Sequence, residues 1–108
     1  MSLPLYIVNA FTSTTFGGNP AAVMPLEYWL SDETLLAIAA QHNLSETAFF
    51  VHTSAGHYEL RWFTPGAEVQ LCGHATLASA HVLKAHLCFQ GDEVIFSTRF
   101  SGKLCARY

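Results

Sequence analysis

Charge is what this chain has least of. Asp, Glu, Lys and Arg together make up 12% of its 108 residues, against about 25% in an ordinary soluble domain. With 51% hydrophobic residues, so little charge cannot solvate a complete outer surface. That balance excludes disorder. It also predicts a lobe that something else covers, whether further sequence or another subunit. A homodimer, or a pairing with a second-lobe chain, burying at least roughly 1,200 Å² in total, is the expected assembly. The five basic residues are scattered, and the formal net charge is −3. No basic patch exists to engage nucleic acid or an anionic membrane, so neither partner is expected.

Long apolar runs are missing as well, and nothing in the sequence is long enough to span a bilayer. The opening MSLPLYIVNAF has no basic region followed by a long apolar stretch, so a cytoplasmic location is expected. Cysteine is sparse: Cys72, Cys88 and Cys105 are odd in number and form neither a CxxC pair nor a disulfide framework. His74, His81 and His86 share one helical segment, but their spacings do not match a zinc-binding helix, so no metal is expected.

The length suits a single domain. Residues 5–11 form a short apolar run of β-formers, and residues 12–20 read as a turn. A second strand is predicted at 21–26. Ser31 is a helix N-cap, with Asp32 and Glu33 where carboxylates suit the helix dipole. Leu35, Ile38 and Ala39 make a helical stripe that ends near Asn43. Strands follow at 47–52 and 57–64. The second alternates, with Tyr58, Leu60 and Trp62 on one face and Glu59, Arg61 and Phe63 on the other. A further pair, 92–98 and 103–108, flanks Ser101-Gly102. Residues 75–89, ATLASAHVLKAHLCF, are strong helix formers and apolar on nearly every side, which predicts a buried helix. The expected fold class is α+β: a curved, mostly antiparallel sheet or barrel around that central helix.

Four stretches carry unusual residue choices. FGGNPAA, at 16–22, combines two glycines with Asn19, whose amide both donates and accepts; on its own it reads first as a plain turn. In NLSETAF, at 43–49, Glu46 precedes a strongly apolar strand. A carboxylate at the edge of an apolar wall is the setting in which desolvation favours the neutral acid, and such a group can serve as acid and base in turn. The other reading is a solvent-facing Glu at a helix–strand junction. RWFTP, at 61–65, reads as an alternating strand stopped by Pro65, and its contribution would be to lead the chain onward.

The fourth stretch, LCGHATL at 71–77, opens the buried helix. A helix N-terminus presents unpaired N–H groups and partial positive charge, and Gly73 permits close approach to the backbone. This is a plausible cradle for a carboxylate. Cys72 at such a position is expected to have a lowered pKa and to ionise readily. Alternatively Cys72 is a small buried hydrophobe and His74 a capping side chain, and the residues leave both readings open.

Taken in order and spacing, FGGNPAAV (16–23), a helix, NLSETAF (43–49), RWFTP (61–65) and CGHATLA (72–78) resemble the phenazine-biosynthesis-like (PhzF) isomerase family. The resemblance runs from about Ile7 to at least Leu83. It implies the diaminopimelate-epimerase fold, in which two lobes, each a barrel-like sheet around a helix, enclose the active site between them. By that resemblance Glu46 carries a proton in a C–H isomerisation, and His74 lines the site. Gly73 and the N–H groups after it, Ala75 included, hold a small carboxylate substrate, with Asn19 beside them. Cys72 is similar in position to the thiol of diaminopimelate epimerases, a possible secondary acid/base. No cofactor is implied. Family members are more than twice this length, so this chain corresponds to the N-terminal lobe (residues 1–108). The alternative expectation is a non-catalytic half that serves as a binding or oligomerisation module.

Overall fold

The computed structural model describes residues 3–8, 20–44 and 46–108. Among the described residues, seven strands and two helices follow one another. These are β1 (Tyr6–Val8), β2 (Ala21–Leu26), α1 (Asp32–His42), β3 (Glu46–Ser54), β4 (His57–Phe63), β5 (Glu68–Val69), α2 (Gly73–His86), β6 (Glu93–Thr98) and β7 (Lys103–Arg107). All strands join one sheet in the order β1-β2-β3-β4-β6-β7, with the short β5 pairing to β4 off that path. The β2–β3 and β4–β6 pairs are parallel, and the others are antiparallel. Parallel neighbours need a long crossover. Here α1 and α2 supply the two crossovers, and they pack on opposite faces of the sheet.

Local chemistry explains the elements. Ser31 Oγ accepts from the Thr34 N–H at 3.2 Å and starts α1. Asn43 closes the helix in the left-handed region, φ 53°, where Asn is tolerated. Gly56 (φ 74°) and Gly102 (φ 68°) make the tight turns of the β3–β4 and β6–β7 hairpins. The β4 alternation is as its pattern predicts: Tyr58, Leu60 and Trp62 face α2, while Phe63 faces α1. β3 is buried on both sides, Ala48 and Phe50 against α2 and Phe49 and Val51 against α1. Such a strand reads as a continuous apolar run.

Every strand of the sheet sends a side chain into the cluster around α2: Tyr6 and Val8, Val23, Phe50, Trp62, Val69, Phe96 and Leu104 among them. Strands lie about 4.8 Å apart, so six abreast span well over the roughly 10 Å diameter of a helix. Only a sheet that curves around α2 can bring both of its margins to the helix. At one margin the Tyr6 ring stacks on His86, with centroids 4.8 Å apart. At the other the Tyr108 hydroxyl donates to Ala80 O at 2.6 Å. Small residues on α2, Ala75, Ala78, Ser79 and Ala80, let it sit deep in this curve, and Ser79 returns its hydroxyl to Ala75 O at 2.8 Å.

Three expectations need correction. The helix spans 73–86 rather than 75–89. Cys88 adopts φ 59°, and the Leu87 and Phe89 N–H groups turn back onto Leu83 O, which ends the helix and swings Phe89 against Tyr58 and Tyr108. The helix is also not apolar-packed all round, since Leu77, His81, Lys84 and Ala85 form an exposed strip. The two-residue strand β5 was not foreseen. It forms because the Thr64–Ala67 turn, closed by Thr64 N–H to Ala67 O at 2.8 Å, returns the chain onto β4. The part of the first predicted strand at 9–11 and most of the 12–20 turn lie outside the described residues.

Val82 and Leu83 sit in the deepest part of α2, essentially without solvent contact. Their amides are expected to be among the slowest to exchange with deuterium, because only global unfolding releases them. Rapid exchange at these two positions, read by NMR, would place the helix at the surface and contradict the packing.

Candidate functional site

The site is built where β3 begins and α2 begins. Glu46 is the first residue of β3 and pairs with Ala21 at the start of β2. Side chains on a strand alternate, so Glu46 shares a face with Ala48 and Phe50, the face toward α2. Thr47, next along, points to the other side. The chain leaves the far end of β4 at Phe63, opposite Thr47, and reaches α2 through residues 64–72. The start of α2 therefore lies beside the start of β3, close enough that the Glu46 carboxylate acts electrostatically on the Cys72 thiol. Glu46 is half-buried, not a solvent-facing residue at a junction. Its Oε2 is buried and has no hydrogen-bond partner among the described residues. Buried polar atoms are nearly always paired.

Cys72 occupies the N-cap of α2, followed by Gly73, His74 and Ala75 in the first turn. No acidic residue lies in that turn, and Cys72 makes no side-chain cap. The N–H groups of Ala75 and His74 nevertheless face the sulfur and favour its ionised form. A Cβ added to Gly73 would meet nothing within 4 Å among the described residues. A helix N-terminus with its partial positive charge, next to space that no described residue fills at Gly73, is an arrangement suited to a carboxylate. His74 is half-buried beside this opening. The structure thus brings together Glu46, Cys72, Gly73, His74 and Ala75. Asn19 lies outside the described residues.

The expectation of an easily ionised Cys72 is overturned. Burial is the largest influence and pushes the thiol up; the amides of Ala75 and His74 oppose it, and the nearby Glu46 carboxylate adds to the rise. The helix terminus alone suggested a thiolate, but desolvation and a neighbouring negative charge outweigh it. Cys72 should therefore be alkylated by iodoacetamide at pH 7 more slowly than a free cysteine, and its rate should climb at higher pH than a free thiol's. A protein in which Cys88 and Cys105 are replaced by Ser isolates this signal. Alkylation at or above the free-thiol rate at pH 7 would contradict the assignment.

Two further side chains shape the site. Trp62, 1% exposed, donates Nε1–H to Thr76 Oγ1 at 3.0 Å. Thr76 Oγ1 in turn donates to Cys72 O at 2.8 Å. Reading RWFTP as a strand that merely leads onward misses this. The available signal was chemical: a buried Trp N–H must find an acceptor. On the opposite face Arg61 holds Glu68 through two bonds, 2.8 and 2.7 Å, and Asp32 through a third at 3.0 Å. Arg99 approaches Glu68 at 3.2 Å, and Ser101 Oγ donates to Gln70 O at 2.7 Å. These contacts tie the 64–72 segment, and with it the approach to Cys72, to α1 and to the β6–β7 turn.

A sheet curved around one helix, with a carboxylate at the helix's entry, defines a lobe of the diaminopimelate-epimerase-like class. The chain belongs to the phenazine biosynthesis-like (PhzC-PhzF) family, which it matches over residues 8–108. It is 55% identical over 107 residues to an uncharacterized isomerase of Pseudomonas aeruginosa, a match covering 99% of this chain and 40% of that protein. The crystal structure of a PhzF-family phenazine biosynthesis protein from Enterococcus faecalis superposes with a TM-score of 0.92 at 48% identity, covering 100% of this chain and 41% of that one. A predicted epimerase of Pseudomonas aeruginosa gives a TM-score of 0.80 at 23% identity over 96% of this chain and 37% of its own, a likeness of fold alone. The chain spans about 40% of the length of such relatives.

Proposed function

We propose that this lobe supplies the acid/base group and the anion cradle of an isomerase or epimerase that moves a proton at carbon in a small carboxylate-bearing metabolite, without a cofactor. The observation that carries the reading is the buried Oε2 of Glu46, which has no hydrogen-bond partner among the described residues, beside the first turn of α2. The substrate carboxylate sits on the N–H groups of Gly73, His74 and Ala75, with Asn19 and His74 orienting it. Glu46 removes the proton from the neighbouring carbon. The C–H electron pair passes into the adjacent carbonyl or diene, and the N–H groups stabilise the negative charge that develops there. The Glu46 carboxyl then returns the proton on the same face, to a carbon further along; inversion at the first carbon would take a second acid on the opposite face, brought by whatever covers the site. Isomerase, the word in the name of the Pseudomonas aeruginosa relative, fits this chemistry.

Among the described residues the cradle is one-sided. Leu71 and Leu77 flank it and are 58% and 46% exposed, which suits a covering partner: a second lobe in the same polypeptide, a second copy, or a second-lobe chain. Light scattering distinguishes these assemblies. The reaction is tested with the protein carrying this lobe, incubated in deuterated water with a mixture of amino, hydroxy and unsaturated carboxylic acids. Mass spectrometry should find one deuterium gained at a carbon in at least one acid. Carboxylates that bind without any such exchange would replace the enzyme reading with that of a binding module.

A further inference from the structure

Thr76 lies just behind the cradle, and its hydroxyl is fully committed. It accepts from the buried Trp62 N–H at 3.0 Å and donates to Cys72 O at 2.8 Å. The same carbonyl receives the first helical bond, from Thr76 N–H at 3.1 Å. Cys72 O is thus held twice by one residue, and that residue is anchored to β4 in the core. An ordinary helix end frays, and its first N–H groups swing with the capping residue. Here the carbonyl that defines the first turn is fixed from inside the protein, while the N–H groups of His74 and Ala75 face the Cys72 sulfur. A Thr in the first turns of a helix has no need of a tryptophan partner to form that helix. Its hydroxyl can satisfy itself on the backbone alone.

Resting on the anion cradle proposed above, we infer that Thr76, held by Trp62, is the positioning residue that aims the first-turn N–H groups of α2 at the anion site. Thr76 touches no substrate and acts through the Cys72 carbonyl. Cys72 itself reports on the result, because those N–H groups face its sulfur and favour its ionised form.

The test follows Cys72 alkylation against pH in a Cys88→Ser, Cys105→Ser background. It needs no substrate and no turnover by Glu46, so its outcome is independent of whether the isomerase reading holds. Thr76→Val removes the hydroxyl and is expected to slow the reaction of Cys72 about fivefold at pH 8 and to move its midpoint to higher pH. Thr76→Ser keeps the hydroxyl and should restore both. Thr76→Val also leaves the buried Trp62 N–H without an acceptor, which destabilises the fold. The double change Trp62→Phe, Thr76→Val removes both polar groups. It should regain thermal stability relative to Thr76→Val while Cys72 stays slow. A double variant with a parental rate and midpoint, or a single variant that loses stability with an unchanged midpoint, would show that the relay only holds the fold together and would overturn the assignment.

Discussion

If Glu46 carries the proton as proposed, Glu46→Gln should lower turnover of the protein carrying this lobe by at least about a hundredfold, the usual contribution of a positioned general acid/base. Gln keeps the length and shape of the side chain but cannot accept a proton from carbon. Its amide can still occupy the start of β3, where backbone pairing with Ala21 is indifferent to the side chain. Circular dichroism and melting temperature should therefore stay near the parent's, which separates loss of chemistry from loss of structure. The deuterium gained by product in deuterated water should fall with turnover. Cys72→Ala is the companion measurement. The thiol is held protonated by burial and by Glu46, so its loss should matter much less. If Glu46→Gln stays active while Cys72→Ala is dead, the proton belongs to sulfur, and the mechanism is that of a thiol epimerase.

Phe50→Ala should cost about 3–5 kcal/mol of folding free energy, a large part of the roughly 5–15 kcal/mol that holds a typical domain together. Phe50 is 2% exposed. It sits in the middle of β3, on the face toward α2, and its ring meets Tyr58 edge-on with centroids 5.4 Å apart. Neighbouring backbone on both sides of β3 is pinned by sheet pairing, so the cavity cannot easily collapse. Urea denaturation followed by Trp fluorescence reads the loss. Phe100→Ala, at an exposed position, is the control and should change stability by less than about 0.5 kcal/mol. Equal effects at the two positions would contradict the assignment of the core.

Much of this was legible in the residues. Ser31, Asn43, Gly56 and Gly102 end or turn elements by their own local chemistry, and the structure keeps each of them in that role. The alternation of β4 told which side chains face inward. The parallel pairing of β2 with β3 and of β4 with β6 was not legible, because strand direction depends on the route of the crossovers and leaves no mark on a short apolar run. At the site, Glu46 and the turn after Cys72 stood out as residue types. That they meet follows from strand order, which no local pattern carries. The direction of the Cys72 shift went astray for the same reason: a helix terminus is visible in sequence, but the burial and the carboxylate that oppose it come from elsewhere in the chain. The Trp62–Thr76–Cys72 relay spans two elements and was invisible to a reading of one motif at a time.

The strand order also dictates when the site comes into being. β3 with β4, and β6 with β7, are hairpins closed by short turns, and such local pairs form within microseconds. The parallel β4–β6 pair must wait for the whole of α2 to find its place, because distant segments meet slowly. Glu46 belongs to the first hairpin, while the helix start that completes the cradle lies in the connection between the two. A chain that has both hairpins but an undocked α2 would possess the carboxylate and no place to hold an anion beside it. In stopped-flow refolding, Cys72 protection should then appear with the last phase and never ahead of it. The proposed site is a property of the finished fold and of no earlier form.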